Sequence, residues 1–177
     1  MTLEKSAELR LTSARLELRP CSPEACLASL QGPGVLARLV GIDVPPTWPP
    51  SELTDALALY ARGLDGGDCR RGWGIWLMIL LGRTAPQLVG SVGFKGRPDA
   101  AGCVEIGYGV EPGWRRRGYA TEAVERLVGW AWEQGVRRIV AECDERNRAS
   151  AGVLQATGMR LYERRGKMQW WELESPS

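Results

Sequence analysis

The chain has 177 residues, of which 44% are hydrophobic and 25% charged, an ordinary composition for a globular protein. This length predicts about one domain, which we expect to span residues 1–177. The 23 basic residues are nearly balanced by 21 acidic ones, and a net charge of +2 is too small to indicate a nucleic-acid partner. No run approaches the roughly 18 apolar residues that span a bilayer, so we expect no membrane partner.

Three further absences limit the reactions that the protein can catalyse and the cellular compartment in which we expect it. Residues 1–5 lack the apolar core of a signal peptide, so we expect a cytoplasmic protein. The five cysteines include no Cys-x-x-Cys pair, which predicts reduced thiols rather than disulfides or a zinc site. The sequence has no histidine, which excludes histidine-dependent triads and most catalytic zinc sites. We therefore expect no metal, and proton transfer must use carboxylates, tyrosine, lysine, cysteine or water.

The N-terminal half predicts one strand and two helices. Alternating apolar residues predict a strand over 15–19. Ser22 as N-cap and a following proline predict a helix that Gly32 and Pro33 close. Apolar residues at helical spacing predict a second helix from Ser51 to about residue 63.

The segment between these helices, residues 42–50, is dense in proline. Proline removes backbone donors and restricts the residue before it, so neither a helix nor a central strand fits. The segment is predicted to be a stiff surface stretch that carries Trp48. Two interpretations of Trp48 stay open: packing on the domain, and forming a wall of an acceptor-substrate site.

The C-terminal half predicts an α/β fold with one mixed sheet. Apolar, β-rich runs at 72–81 and 87–95 predict a hairpin, and residues 103–110 predict the next strand. Apolar residues at helical spacing from Gly118 to Gly135 predict a helix that packs on the sheet. The remaining predicted elements are a strand at 138–142, a helix at 148–157, and strands at 159–164 and 167–173.

Residues 105–120 run from a strand through a turn rich in glycine and arginine into this helix. The first N–H groups of a helix lack intrahelical partners and lie at the positive end of its dipole. Gly118 lets the backbone approach a ligand closely, and Arg115, Arg116 and Arg117 add positive charge. The segment therefore predicts a site for a phosphate group.

Three motifs in this order resemble one known family. Arg115-x-x-Gly118-x-Ala120 resembles the acetyl-CoA-binding signature Gln/Arg-x-x-Gly-x-Gly/Ala of the GNAT acetyltransferase superfamily. Residues 11–20 resemble the opening of its ribosomal-protein N-acetyltransferase (Rim-type) branch. Residues 147–159 resemble that branch's Asn-x-x-Ser-x-x-Val-Leu-x-x-x-Gly-Phe, with Met159 in place of the aromatic residue.

The resemblance implies a mixed, mostly antiparallel central sheet flanked by helices, with two splayed strands that hold acetyl-CoA. Those strands are the one before the phosphate-binding turn and the one after its helix. It implies that backbone groups of Tyr108, Gly109 and Val110 hold the pantetheine and direct an N–H at the thioester carbonyl. The remaining implied cofactor-binding residues are Arg115, Arg116, Arg117, Gly118, Tyr119, Ala120 and Asn147.

Glu105 is the candidate general base, because the Rim-type branch has a glutamate at this strand position. An acceptor amine that binds as an ammonium must lose a proton before it attacks. The alternative is a strand glutamate that forms an ion pair with an arginine or lysine on a neighbouring strand.

Many GNAT enzymes protonate the departing thiolate with a tyrosine seven residues after the motif's asparagine, and Leu154 occupies that position here. Ser150 is the replacement candidate, since its counterpart in the Rim-type branch lies near the cofactor sulfur. The alternative is that Ser150 is an ordinary first-turn residue of a helix capped by Asn147. Tyr162 is a more remote candidate, and a CoA thiolate can also leave without a protein acid.

The resemblance implies an N-acetyltransferase that transfers the acetyl group of acetyl-CoA to a primary amine, with a protein N-terminal α-amine as the expected acceptor. A small amine, such as an aminoglycoside or polyamine, and a non-catalytic acyl-CoA-binding regulatory domain are the alternatives. A P-loop nucleotidase is excluded, because no Gly-x-x-x-x-Gly-Lys-Ser/Thr string occurs. We expect a monomer or homodimer.

Overall fold

A computed structural model describes residues 9–69, 71–82 and 84–176. In these residues an eight-stranded sheet carries five α-helices on its two faces. No helix in these three ranges is both long and apolar enough to cross a bilayer. Residues 1–5, for which we expect no signal peptide, lie outside the described residues. Both ends of the expected 1–177 domain also lie outside them.

The strands and helices follow one another along the chain with short connections. The strands are β1 (Leu11–Thr12), β2 (Leu16–Pro20), β3 (Ile75–Leu80), β4 (Gln87–Phe94), β5 (Cys103–Val110), β6 (Arg138–Asp144), β7 (Arg160–Arg165) and β8 (Met168–Glu174). The helices are α1 (Pro23–Gln31), α2 (Pro33–Val40), α3 (Thr54–Ala61), α4 (Tyr119–Glu133) and α5 (Arg148–Ala156). Single 3₁₀ turns at Ser51–Leu53 and Pro112–Trp114 precede α3 and α4.

The strand order in the sheet is β1-β2-β3-β4-β5-β6-β8-β7. The pair β5–β6 is parallel and the other neighbouring pairs are antiparallel. This arrangement confirms the predicted fold class, a mixed and mostly antiparallel sheet flanked by helices.

The sheet opens at its one parallel pair. The pairing of β5 with β6 begins at Cys103 and stops at Glu105, although β5 continues to Val110. Strand β6 stays paired with β8 from Arg138 to Asp144. The two central strands therefore separate after Glu105, which confirms the splay that the family resemblance implies.

Each face of the sheet has its own apolar core. The core beneath α1, α2 and α3 includes Cys26, Leu36, Trp48, Leu57, Leu77 and Ile79. The core beneath α4 and α5 includes Trp76, Met78, Val124, Leu127, Ile139 and Leu154. Burial on both faces explains why β3 reads as a continuous apolar run rather than an alternating one.

The region after β2 confirms one prediction and corrects another. Ser22 caps α1, because its Oγ accepts a hydrogen bond from the N–H of Ala25 at 3.2 Å. Pro33 was predicted only to close this helix, yet it starts α2, since proline is well tolerated at the first helical position. The helix predicted from Ser51 begins as a 3₁₀ turn, and α3 proper starts at Thr54.

Candidate active site

The turn before α4 has the geometry of an anion site. Gly118 immediately precedes the helix with φ of +81°, in the region that favours glycine, and offers no side chain to cap the first N–H groups. Arg116 also has a positive φ, of 60°. The side chains of Arg115, Arg116 and Arg117 are exposed beside this helix start. The turn therefore combines unsatisfied donors, the positive helix end and exposed cations, which fits a pyrophosphate.

Side chains of the loop between β1 and β2 hold this turn in place through hydrogen bonds. Arg15 donates from Nε to Glu122 at 2.7 Å and from Nη1 to the carbonyl of Arg117 at 3.0 Å. Ser13 donates from Oγ to the same Glu122 carboxylate at 2.7 Å. A Cβ on Gly118 would lie 3.3 Å from the Arg15 guanidinium. The sequence offered Arg15 only as part of an opening motif, and the structure shows that it supports the turn.

Burial opposes the ionisation of Glu122, but the contacts from Ser13 and Arg15 outweigh it and hold the pKa of this carboxyl below its ordinary value. The carboxylate also lies in the first turn of α4, where a negative charge is favoured by the helix dipole. Glu122 thus secures the helix start without occupying its exposed N–H groups.

A cavity of about 610 Å³ lies on the face of the sheet that carries α1, α2 and α3. Its floor is formed by β4 and the splayed part of β5, and its wall by α3 and residues 47–50. A Cβ added to Gly107 or Gly109 would meet no atom within 4 Å, so these glycines leave space over the floor. The size is typical of a small-molecule or peptide-end site.

Tyr108 and Ser150 are brought together, as the two motifs alone could not show. The Tyr108 hydroxyl lies 2.9 Å from Ser150 Oγ and donates to the Ser150 carbonyl at 3.0 Å. Asn147 caps α5, because its Oδ1 accepts from the Ser150 N–H at 3.0 Å. The contact between Tyr108 and Ser150 links the splayed part of β5 to the first turn of α5. Burial raises the pKa of Tyr108 to about 12, so its hydroxyl stays protonated near neutral pH.

Glu105 is the last β5 residue that pairs with β6, and its carboxylate forms an ion pair with Lys95. Lys95 directly follows β4 and also contacts Glu142 of β6 at 3.2 Å, so its ammonium links β5 to β6 where the sheet opens. Burial disfavours the ammonium, but Glu105 and Glu142 outweigh it and raise the pKa of Lys95. Lys95 lines the cavity and Glu105 lies behind it. The ion pair is the alternative to catalysis that the sequence left open.

Trp48 is both packed on the domain and part of the cavity wall. Only 2% of the residue is exposed, and its indole N–H donates to Ser29 Oγ at 3.1 Å. The same residue lines the cavity. The two interpretations of this tryptophan are therefore geometrically compatible.

The sequence did not identify two cavity residues, Thr47 and Glu111. Glu111 directly follows β5, is only 4% exposed and lines the cavity. Thr47 Oγ1 forms a hydrogen bond to Glu111 Oε2. The pairing joins the proline-dense segment to the end of β5. Its one signal in the sequence is an acidic residue between a strand and a proline, which is too common to indicate a site.

Comparison with known proteins agrees with this geometry. Residues 15–160 match the acetyltransferase (GNAT) domain family. The chain belongs to the GNAT family. It is 30% identical to "Uncharacterized N-acetyltransferase YjdG" of Bacillus subtilis (strain 168) over 133 residues. These residues cover 75% of this chain and 78% of that protein. The GNAT chain is thus an acetyl-CoA-dependent acetyltransferase.

Solved structures share the fold of this GNAT protein. RimL, a ribosomal L7/L12 alpha-N-protein acetyltransferase solved with coenzyme A, matches with a TM-score of 0.66 and 18% identity over 94% of this chain and 98% of that one. A GNAT acetyltransferase from Bacillus anthracis matches with a TM-score of 0.64 and 19% identity over 94% and 98%. At these identities the likeness shows a shared fold.

Proposed function

We propose that this GNAT protein acetylates the N-terminal α-amine of a protein or peptide. The observation that carries the proposal is the cavity of about 610 Å³ that meets the splayed part of β5 on the face opposite α4. An acceptor in this cavity and a cofactor in the opening between β5 and β6 would share the edge at Gly109 and Val110. Holding both reactants at one edge is the main rate advantage that such a site can supply.

The residues around the opening fit acetyl-CoA. The turn at Arg115, Arg116, Arg117 and Gly118 would hold the pyrophosphate, together with the backbone of the first α4 residues, Tyr119 and Ala120. Bound acetyl-CoA supplies the thioester carbonyl that the amine attacks. Val110 offers backbone groups at the edge of the opening, and Arg115 already donates from Nε to its carbonyl at 2.9 Å. Tyr108, Gly109 and Asn147 complete the proposed set.

The charges around the cavity favour an acceptor with one positive group. The acidic lining residues are Glu52 and Glu111, and the basic ones are Lys95 and Arg115. A polyamine carries several cations along its length and would meet both basic residues. A peptide end carries one ammonium on a neutral backbone, and the likeness to RimL favours the same class of acceptor.

Two side chains are proposed for proton transfer. Glu105 would accept the amine proton, through water, from its place behind Lys95. Ser150, whose Oγ lies 2.9 Å from the Tyr108 hydroxyl, would protonate the departing thiolate. Water would return the proton that Ser150 gives up, since burial raises the pKa of Tyr108 to about 12 and disfavours loss of its own proton. A domain over residues 1–177, a cytoplasmic location and a monomeric or homodimeric state complete the proposal.

Thiol release from acetyl-CoA tests the proposed acceptor. An unblocked short peptide should release thiol, and the same peptide with an N-acetylated end should not. A polyamine and an aminoglycoside serve as competing acceptors. If either of them reacts and the unblocked peptide does not, the peptide proposal is wrong.

A further inference from the structure

Glu111 is held rigidly at the inner edge of the cavity. Its backbone N–H donates to the carbonyl of Val89 at 2.9 Å, and its own carbonyl accepts from the N–H of Trp114 at 2.9 Å. The residue is 4% exposed and lines the cavity, and Thr47 Oγ1 contacts Oε2. Two hydrogen bonds therefore fix the backbone of Glu111, and Thr47 orients its buried carboxylate.

Within the described part of the chain, this carboxylate has no cation beside it. In residues 9–69, 71–82 and 84–176, no lysine or arginine nitrogen lies within 4 Å of Glu111, whereas Lys95 neutralises Glu105 and Arg15 neutralises Glu122. The basic residues of the cavity are engaged elsewhere: Lys95 by Glu105 and Glu142, and Arg115 by the carbonyl of Val110.

A buried carboxylate without a counter-charge is costly, since desolvation disfavours the ion by several kcal/mol. Such a group inside a cleft is a candidate for ligand binding rather than for stability. A cation that reaches this carboxylate must be small, because only 4% of Glu111 is exposed. A primary ammonium fits, since it presents three N–H donors around one charge.

We propose that Glu111, oriented by Thr47, is the subsite that binds the ammonium of the acceptor. The inference rests on the proposed function and deepens it. Glu111 follows Val110 directly, so an ammonium on this carboxylate lies at the edge where the thioester is proposed to meet the acceptor. The carboxylate selects charged amines over neutral acceptors of the same shape. It acts by binding and orienting the amine.

Binding of two small probes tests the subsite without knowledge of the natural acceptor. The probes are n-butylammonium and its neutral counterpart n-butanol, titrated by NMR into the protein saturated with coenzyme A. Glu111→Gln should weaken n-butylammonium binding by about 10-fold or more and leave n-butanol binding unchanged, because a buried charge pair is lost. Glu125→Gln removes one carboxylate from the exposed face of α4 and should change neither affinity.

Two further variants keep the test valid if Glu111→Gln does not fold. Thr47→Val removes the orienting hydroxyl, and Glu111→Asp keeps the charge but withdraws it by one methylene. Each should weaken n-butylammonium binding by about 3-fold or more, as expected for a hydrogen bond to a charged group. Acetyl-CoA affinity, measured by calorimetry, should match wild type in both and reports that the fold is intact.

The proposal is overturned if Glu111→Gln, or both of the milder variants, bind n-butylammonium as tightly as the wild-type protein. It is also overturned if the wild-type protein does not prefer n-butylammonium to n-butanol. Failure of peptides in the thiol-release assay would instead refute the proposed function and leave these probe affinities as they are. The two failures are therefore distinguishable.

Discussion

The acidic residues near the opening of the sheet differ in what surrounds them. Glu105 contacts Lys95, which also contacts Glu142, whereas Glu111 contacts only the hydroxyl of Thr47 among these groups. The residue that the family resemblance selects as base is thus the one that forms an ion pair.

Substitution of Glu105 tests whether this residue is the general base or only the ion-pair partner of Lys95. We expect Glu105→Gln to lower kcat by about 100-fold at neutral pH and to leave acetyl-CoA affinity nearly unchanged, as for loss of a general base. Lys95→Met is the matched control, since it breaks the same ion pair and keeps the carboxylate. Steady-state kinetics and calorimetry measure the two quantities. Equal losses of kcat in both variants would assign Glu105 to the ion pair alone.

Ser150 can be tested apart from the helix it begins. Asn147 caps α5 through the backbone N–H of Ser150, so Ser150→Ala keeps this hydrogen bond and loses only the hydroxyl. We expect kcat to fall by about 100-fold, as for loss of a general acid, with unchanged acetyl-CoA affinity. Wild-type kcat in Ser150→Ala would show that the thiolate leaves without this hydroxyl.

At the scale of elements, the start of α4 depends on residues from two other parts of the chain. Gly118 supplies the backbone conformation, and the β1–β2 loop supplies Arg15 and Ser13, which both bind Glu122. The anion-binding turn is therefore a tertiary structure, although its motif is local in the sequence.

Gly118→Val should abolish acetyl-CoA binding in a folded protein. Valine at a φ of +81° is strained, and its Cβ would press on the Arg15 guanidinium at 3.3 Å. Gly113→Val is the control, because a Cβ there meets no atom within 4 Å. Calorimetry with acetyl-CoA measures the effect. Unchanged affinity in Gly118→Val would refute the assignment of the turn to the pyrophosphate.

Glu122 predicts an acid-sensitive contribution to stability. Its pKa is lowered in the folded protein from an ordinary value of 4.5, so its contribution is complete above pH 4.5 and is lost as the pH falls through the folded pKa. We expect Glu122→Gln to reduce the free energy of unfolding at pH 7 by about 1–3 kcal/mol, because two hydrogen-bond partners lose a charged acceptor.

Urea unfolding of wild type and Glu122→Gln at several pH values measures this contribution. The difference between the two proteins should shrink below pH 4.5. A difference that stays constant down to acidic pH would show that the carboxylate charge does not support the turn.

Local patterns predicted most elements, and non-local contacts explain what was missed. β5 was predicted with its observed bounds, and α1 with its serine cap, because spacing and capping act within a few residues. α2 was missed because Pro33 was interpreted only as a stop. The contact of Thr47 with Glu111 joins residues 64 positions apart, which no local pattern encodes.

At the scale of the whole molecule, the two proposed reactant sites meet at the splayed part of β5, and Arg115 of the phosphate-binding turn also lines the cavity. Helices α4 and α5 cover one face, where the phosphate-binding turn begins α4. Helices α1, α2 and α3 cover the other face, where the cavity lies. The cavity adjoins the opening between β5 and β6, so an amine bound in the cavity would reach a thioester in the opening.

The position of the transferred acetyl group tests this account most directly. A short peptide with a free N-terminus and one internal lysine is incubated with acetyl-CoA and the protein, and tandem mass spectrometry then locates the acetyl group. The account predicts acetylation of the α-nitrogen and an unmodified lysine side chain. Acetylation of the lysine instead, or an unmodified peptide under conditions where another amine is acetylated, would contradict it.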